Sequence, residues 1–403
     1  MNQGFRHYLT VTGGYWAFTI TDGAIRMLVV LYFHGLGYSP FEIAMLFLFY
    51  EFFGIVTNLV GGWLGARVGL NRCMNIGMIM QIGALMALTV PEAWLSVGYV
   101  MAAQAISGIA KDLNKMSAKA GVKLFLPDKS EKKLFRWVAI LTGSKNALKG
   151  AGFFIGALLL AWLEFRGALF ALSALLFVAL IITGFLLPAG LGKSSSKPKF
   201  TQLFSKSPQV NLLSAARFFL FGARDIWFVV GLPLFLYAEL GWNFTEVGAF
   251  FSLWVIGYGF VQAGTPAILK KLTTSQPDGG LVAGAAFALV AVPAGIALVM
   301  AQGWNLQFVI IAGMALFGFV FAINSAVHSY LIVAWSEREH VSMNVGFYYM
   351  ANAGGRLAGT LLSGWVYQSQ GLTGCLWWSA GFVLVAAVIS LLLPRQVTPV
   401  ATG

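Results

Sequence analysis

Eight basic side chains fall inside long apolar segments of this 403-residue chain: Arg26, Lys111, Lys115, Lys145, Lys149, Arg217, Arg224 and Arg356. Groups of this type hold oxyanions well, arginine through a planar fork that matches phosphate or carboxylate and lysine as a mobile point charge. A cation at the centre of a bilayer costs about 2.5–3.5 kcal/mol on insertion scales, so such residues line polar cavities and mark substrate paths. The acids near them are Asp22, Glu51, Asp112 and Asp225. The surplus is positive, and the expected ligand is an anion.

Helical spacing sorts these residues into faces, because positions three, four or seven apart lie on one side. Lys111 and Lys115 pair in this way with Asn114 beside them, as do Lys145 with Lys149, Arg217 with Arg224, and Asn352 with Arg356. The pattern predicts several cationic faces turned to one cavity. Structural roles compete with that reading: Asp22 and Arg26, four apart, suit an internal ion pair as well as a ligand contact. Arg224 and Asp225 are adjacent, which points them about 100° apart and makes mutual satisfaction a poorer expectation. Lys115, Lys149 and Arg356 are expected to be the hardest to explain structurally, on the reading that no acid lies three or four residues away on their own helices. Lys119 and Lys123 are expected to snorkel to water.

Glu51 lies between Tyr50 and Phe52, where a neutral buried acid bonded to a neighbouring helix is expected and a proton carrier is the alternative. Asp22, Asp112 and Asp225 share the ion-pair or proton role. His328 is read as a packing histidine. Tyr15, Trp16, Trp227, Tyr258, Tyr348 and Tyr349 are candidates for lining a cavity, and the glycines from Gly150 to Gly156 for close helix contacts. Gly143-Ser-Lys145 lacks phosphate-loop spacing. The sequence offers no nucleophile with a base and orienting group, nor a metal-ligand cluster, so neither an enzyme nor a cofactor or metal is expected.

The elements that must carry these residues follow from composition. At 59% hydrophobic and 10% charged residues, with a mean hydropathy of +0.79, the chain is far from the globular average of about 25% charged. An all-α membrane protein is predicted, with twelve spans near 10–33, 41–65, 72–90, 94–121, 135–162, 167–189, 209–238, 244–269, 280–301, 305–335, 341–368 and 372–393. Lys and Arg collect at Arg67 and Arg72, at Lys123, Lys129, Lys132, Lys133 and Arg136, at Lys193, Lys197, Lys199 and Lys206, and at Lys270 and Lys271. The alternate connections carry Glu42, Glu92, Glu164, Glu239 and Glu246, with Arg166 the only strong base. Both termini are therefore expected in the cytoplasm, in the inner (plasma) membrane. The neutral loop from Ser336 to His340 adds little. No cleaved leader is expected, since the first apolar segment contains Asp22 and Arg26. The net charge of +12 is mostly a topology signal, without the soluble basic domain that nucleic acid would require. Cys73 and Cys375 are assigned to opposite sides, which forbids a disulfide.

The Ser-, Lys- and Pro-rich stretch 190–209 reads as a cytoplasmic linker between halves 1–189 and 210–403. A weak repeat supports equivalent halves: Leu36–Ile43 (LGYSPFEI) matches Leu240–Val247 (LGWNFTEV), Asp22 approaches Asp225 at nearly the same shift, Asn114 aligns with Asn324, and Lys149-Gly-Ala-Gly aligns with Arg356-Leu-Ala-Gly. Gly62-Trp-Leu-Gly-Ala66-Arg67-Val-Gly69-Leu-Asn-Arg72 resembles motif A of the major facilitator superfamily, a cytoplasmic latch loop, with Ala66 where the family has an acid. That resemblance implies two six-helix halves around a midplane site.

Over nearly its whole length the chain also resembles the organoarsenical efflux permeases called ArsJ. The resemblance rests on Asp22-Gly-Ala-Ile-Arg26, Glu51-Phe-Phe-Gly-Ile-Val-Thr-Asn58, Lys111-Asp112-Leu-Asn114-Lys115, Lys145-Asn-Ala-Leu-Lys149, Arg217 and Arg224-Asp225. It implies export of 1-arseno-3-phosphoglycerate by alternating access, arsenate resistance, and a functional link to glyceraldehyde-3-phosphate dehydrogenase. The expected partners are thus a small anionic substrate and the lipid bilayer, for a monomer. A sugar-phosphate or inorganic phosphate antiporter of the same superfamily would use the same basic residues.

Overall fold

The computed structural model describes residues 3–125, 131–188, 207–272, 277–335 and 341–395, and all regular structure among them is helical. In chain order the α-helices are α1 (Gln3–Gly35), α2 (Pro40–Leu46), α3 (Leu48–Val68), α4 (Leu70–Ala87), α5 (Val97–Phe125), α6 (Glu131–Leu186), α7 (Pro208–Phe228), α8 (Gly231–Leu234), α9 (Phe244–Leu272), α10 (Gly279–Met300), α11 (Leu306–Ala334) and α12 (Val341–Ser390).

Eight helical stretches among the described residues are long and apolar enough to cross a membrane. Two of them, Ser144–Leu186 and Gly346–Ser390, run for 43 and 45 residues, about twice the ~20 that one crossing takes. Each bends at one non-helical residue, Glu164 in α6 and Gly371 in α12, and so crosses twice. The helices α4 and α5 supply two more crossings, with apolar patterns diluted by Asn71, Arg72, Asn75 and Gln81 or by Lys111, Asp112 and Lys115. With α2 and α3 as one span, and α7, α8 and the π-helical turn Phe235–Glu239 as another, the twelve expected spans are accounted for. Burial is inverted relative to a water-soluble protein. Phe185, Phe260 and Leu253 are exposed, while Glu51, Asp112 and Asp225 are fully buried, as lipid-facing helices around polar interiors require.

The chain resolves into two compact units. The first comprises Met1–Gly37, Met45–Phe200 and Trp242–Ile256, and the second Tyr38–Ala44, Thr201–Gly241 and Gly257–Gly403. In the first, α1 packs on α6, and Gly23, Gly152 and Gly156 let the two backbones touch: a Cβ on Gly23 would stand 2.6 Å from the Lys149 carbonyl. In the second, α7 packs on α12 in the same manner, and a Cβ on Gly222 would stand 3.0 Å from the Gly355 carbonyl. These small-residue contacts set Lys149 beside α1 and Arg356 beside α7.

The repeat in the sequence is a repeat of capping chemistry. Gly37 and Gly241 both take positive φ, 87° and 70°. Two residues later, Ser39 and Glu42 exchange hydrogen bonds, the Ser39 amide donating to Glu42 Oε2 at 2.8 Å and the Glu42 amide to Ser39 Oγ at 3.3 Å. Asn243 and Glu246 do the same at 2.8 and 3.0 Å. Each is a capping box that starts a helix. The bends at Glu164 and Gly371 also correspond, by the alignment that pairs Lys149 with Arg356.

The motif resembling a latch loop is mostly helix. α3 runs on to Val68, and the chain turns at Gly69 alone, whose φ of 98° and ψ of 147° suit glycine, before α4 starts at Leu70. Arg72 is exposed in the first turn of α4. Lys129, residues 189–206 of the linker region and the loop 336–340 lie outside the described residues, as do the side chains at Gly62, Arg67, Lys119, Lys123, Lys132, Lys133, Arg136 and Lys270.

Glu164 has φ 58° and ψ −179°, a region that is essentially confined to glycine and costs other residues about 1–3 kcal/mol. Glu164→Gly is therefore predicted to raise the thermal unfolding midpoint in detergent, with a net gain of about 1 kcal/mol after glycine's greater chain entropy. Gly371→Ala should lower it. Unchanged midpoints in both variants would show that the bends carry no strain.

Candidate functional site

In the first unit, the polar interior is a continuous ion-pair network on α1, α3, α5 and α6. Asp22 and Arg26 lie one turn apart on α1 and engage different partners. Arg26 Nη2 donates to Glu51 Oε1 at 2.7 Å, both groups being almost fully buried. Asp22 accepts from the Tyr50 hydroxyl and, at 3.1 Å, from Lys149 Nζ. Glu51 thus does bond a neighbouring helix, but its partner is a guanidinium, the geometry of an ion pair rather than of a neutral acid.

On α5, Lys111 Nζ stands 4.0 Å above the Tyr50 ring centroid and 3.9 Å from Asp112 Oδ2. Lys115 Nζ donates to Asp112 Oδ1 at 2.6 Å and to Asn58 Oδ1 at 2.5 Å. The expectation that Lys115 lacks a structural explanation is corrected: Asp112 is three residues earlier on the same helix. Gly54 leaves room for this group, since a Cβ there would lie 3.2 Å from Asp112 Oδ2 and 3.5 Å from Lys111 Nζ. Asn114 does not share the cationic face. It is buried against α4, its amide donating to the Met74 and Ala110 carbonyls at 3.3 Å each. Lys145 is half-buried one turn before Lys149. Arg26, Lys111, Lys115 and Lys149 are therefore set against three carboxylates.

The second unit repeats one element of this design and departs from the rest. Asp225 accepts from Arg356 Nε on α12 at 3.1 Å, the counterpart of the Asp22–Lys149 pair. It also accepts from Arg224, at 2.7 Å from Nε and more closely from Nη2. Adjacent residues do satisfy each other here, because the long arginine stem folds back across the intervening angle. The Arg224 guanidinium lies 5.0, 5.4 and 5.7 Å from the Phe221, Phe228 and Phe321 ring centroids, favourable cation–π distances.

Arg217 is different. It is 4% exposed, and its partners among the described residues are neutral. Nε donates to Asn352 Oδ1 at 2.9 Å, and Nη1 to Ser325 Oγ at 3.0 Å and to the Ser325 carbonyl at 3.3 Å. Its guanidinium carbon lies 3.7 Å from the Phe221 ring centroid and 5.1 Å from that of Tyr348. No carboxylate among the described residues lies within ion-pair distance of it. Among the described residues, Asp225 is thus the carboxylate held by Arg224 and Arg356, and Arg217 has none. At the repeat shift that relates Asp22 to Asp225, the first half has Gly14 where the second has Arg217.

Sequence reasoning missed Tyr50, Asn58, Ser325 and Gln262. Ser325 Oγ also receives the Tyr258 hydroxyl at 3.2 Å and Gln262 Nε2 at 3.4 Å. Small neutral residues inside spans carry no distinguishing signal, although Tyr50 beside Glu51 offered one. Trp227 is a packing residue, fully buried with its ring 5.0 Å from Phe317. Trp16 donates to Ser144 Oγ at 2.9 Å, and His328 is buried on α11. Cys73 and Cys375 are buried and free. No group of three or more metal-ligating side chains occurs among the described residues.

A family model described as Major Facilitator Superfamily matches residues 11–329. The chain belongs to the Major Facilitator Superfamily. It is accordingly a multi-pass membrane transporter of a small molecule rather than an enzyme. Among solved structures, it is similar to the peptide transporter POT in complex with sulfate, with 15% identity and a TM-score of 0.74 over 95% of this chain and 93% of that one. The nucleoside transporter NupG gives 14% and 0.73 over 97% and 99%. The human organic anion transporter MFSD10 (TETRAN) gives 15% and 0.65 over 97% and 100%. At these identities the likeness is one of fold. No curated protein sequence matches the chain.

Asp225→Ala would take the shared carboxylate from Arg224 and Arg356, a change predicted to destabilise the protein by about 3–5 kcal/mol. Asp225→Ala combined with Arg356→Leu should recover part of that loss, because one of the two charges that faced the carboxylate is gone. The thermal midpoint and the monodisperse fraction in detergent read both effects. An Asp225→Ala protein as stable as the parent would show that this carboxylate does not hold the two arginines.

Proposed function

We propose that this superfamily member exports an organic oxyanion, with 1-arseno-3-phosphoglycerate as its substrate and arsenate resistance as the outcome. The observation that carries the proposal is Arg217, a buried guanidinium hydrogen-bonded to Asn352 and Ser325 and, among the described residues, to no acid. A charge left unneutralised in the interior of a membrane protein is costly unless something negative visits it. Arg224 and Arg356, which both reach Asp225, add to the positive field there. In the first half Arg26, Lys111, Lys115 and Lys149 outnumber Asp22, Glu51 and Asp112, so that half also favours an anion.

The choice of substrate rests on the resemblance to the ArsJ permeases, and the chemistry agrees with it. A phosphate and an arsenate ester on one three-carbon unit call for more than one group of cationic donors. Trivalent arsenite is bound by two or three thiolates, and this chain has two cysteines in all, both buried. Export needs no second ion in principle. With the cell interior negative, each negative charge moving outward gains about 2.3 kcal/mol per 100 mV. In this account the protein works as a monomer in the inner membrane with both termini in the cytoplasm. It cycles by alternating access and removes the ester that glyceraldehyde-3-phosphate dehydrogenase makes from arsenate.

The test is arsenate tolerance and cellular arsenic content in cells that make the dehydrogenase, with and without this chain. The protein should raise tolerance and lower arsenic, and Arg217→Gln at equal membrane abundance should match the empty vector. Arg217 is the chosen position because its removal strands no carboxylate among the described residues, whereas loss of Lys149 or Arg356 takes a partner from Asp22 or Asp225. Equal tolerance with and without the chain rejects arsenical export. Phosphate or sugar-phosphate exchange in proteoliposomes containing this chain would then identify the antiporter reading.

A further inference from the structure

The three helices that hold Arg217 each place a buried polar side chain one turn further along the bundle. Helices α7 and α11 run antiparallel, for Arg217 meets Ser325 at 3.0 Å and the Phe221 ring meets that of Phe321 at 5.1 Å. That register brings Ser214, three residues before Arg217, to the level of His328, three residues after Ser325. Side chains three apart share a helix face, so both stand on the Arg217 side of their helices, and the guanidinium charge acts on the imidazole. On α12 the level is taken by Tyr348, four residues before Asn352, its ring 5.1 Å from the Arg217 guanidinium. All three residues are buried.

Ser214 Oγ and His328 Nδ1 have no hydrogen-bond partner among the described residues. Ser214 does not turn back to its own helix, as Ser329 does in donating to the Ser325 carbonyl at 2.8 Å. An apolar cluster that includes Leu213, Val327, Leu331 and Tyr348 packs around this level and screens it from solvent. Each unpaired buried group costs about 1–3 kcal/mol, so packing explains the burial of His328 but not its orphaned nitrogen. Arg217 also keeps Nη2 free of hydrogen bonds among the described residues. Resting on the anion-transport reading above, we propose that Ser214 and His328 form a second subsite, which takes the far-end oxygens of an organic anion whose charged end lies on Arg217. A hydroxyl and an imidazole nitrogen suit hydroxyl, ester and carboxyl oxygens. The two levels are one turn, about 5.4 Å, apart. A phosphorylated three-carbon acid is long enough to reach both, and a single phosphate ion is not.

The experiment measures binding of 3-phosphoglycerate and of inorganic phosphate to purified, detergent-solubilised full-length protein by titration calorimetry. Ser214→Ala and His328→Leu are compared with the parent, with thermal midpoints in parallel. Each substitution removes an unpaired polar atom, so the midpoints should hold or rise. In each variant the Kd for 3-phosphoglycerate should rise about tenfold, the worth of one hydrogen bond, while that for phosphate stays within about twofold. Equal weakening of both anions, or no change in either, would overturn the second subsite while leaving the anion-transport reading intact. A fall in the Ser214→Ala midpoint would show that the fold already satisfies this hydroxyl, and would overturn the subsite too. A parent protein that binds neither anion would overturn both readings.

Discussion

Charge inside a membrane must be neutralised or put to use, and the interior of this protein is organised around that constraint. In a medium that offers little solvation, an unmatched ion costs several kcal/mol. Most of the interior cations answer the constraint with carboxylates: Arg26 with Glu51, Lys115 with Asp112, Lys149 with Asp22, and Arg224 and Arg356 with Asp225. Arg217 meets it with an amide, a hydroxyl, a backbone carbonyl and two aromatic faces. Those groups solvate a cation without cancelling it. The difference separates charges that hold helices together from a charge available to a ligand.

A repeat in the sequence underlies the scaffold in which that difference is set. Both halves start a helix with a glycine of positive φ followed by a reciprocal cap, as at Ser39 with Glu42 and Asn243 with Glu246. Both pack two helices through glycines and bridge them by an aspartate and a base, as Asp22 with Lys149 and Asp225 with Arg356. Both bend a long helix at matching positions, Glu164 and Gly371. The shared elements are those that backbone geometry demands. The elements that differ are the ones a substrate would feel: a second buried pair and a lysine-rich α5 in one half, and in the other an arginine that has no acid beside it among the described residues.

Much of this was legible in the sequence. Apolar runs marked the spans, glycine clusters the close contacts, and the LGxxxxE repeat its caps, because each depends on residues close together in the chain. The class of residue that would matter was also visible, since Lys and Arg are rare in spans. Pairing was harder to read. Helix spacing pointed to Asp22 with Arg26, but those side chains reach across to Lys149 and Glu51 on other helices, and spacing says nothing about such neighbours. Asp112 with Lys115 was within reach of the three-residue rule. Arg224 with Asp225 shows that backbone direction is a poor guide for a side chain as long as arginine. Ser325 and Gln262 were invisible because neutral polar residues in spans are common.

The central claim is that surplus positive charge, centred on Arg217, draws an organic anion into the protein. Charge movement on a solid-supported membrane tests it most directly. A concentration jump of 3-phosphoglycerate onto proteoliposomes should displace negative charge in the direction of the jump for the parent protein, and Arg217→Gln, reconstituted at equal density with an unchanged melting profile, should give no displacement. A silent parent, or a variant that responds as the parent does, would contradict the account.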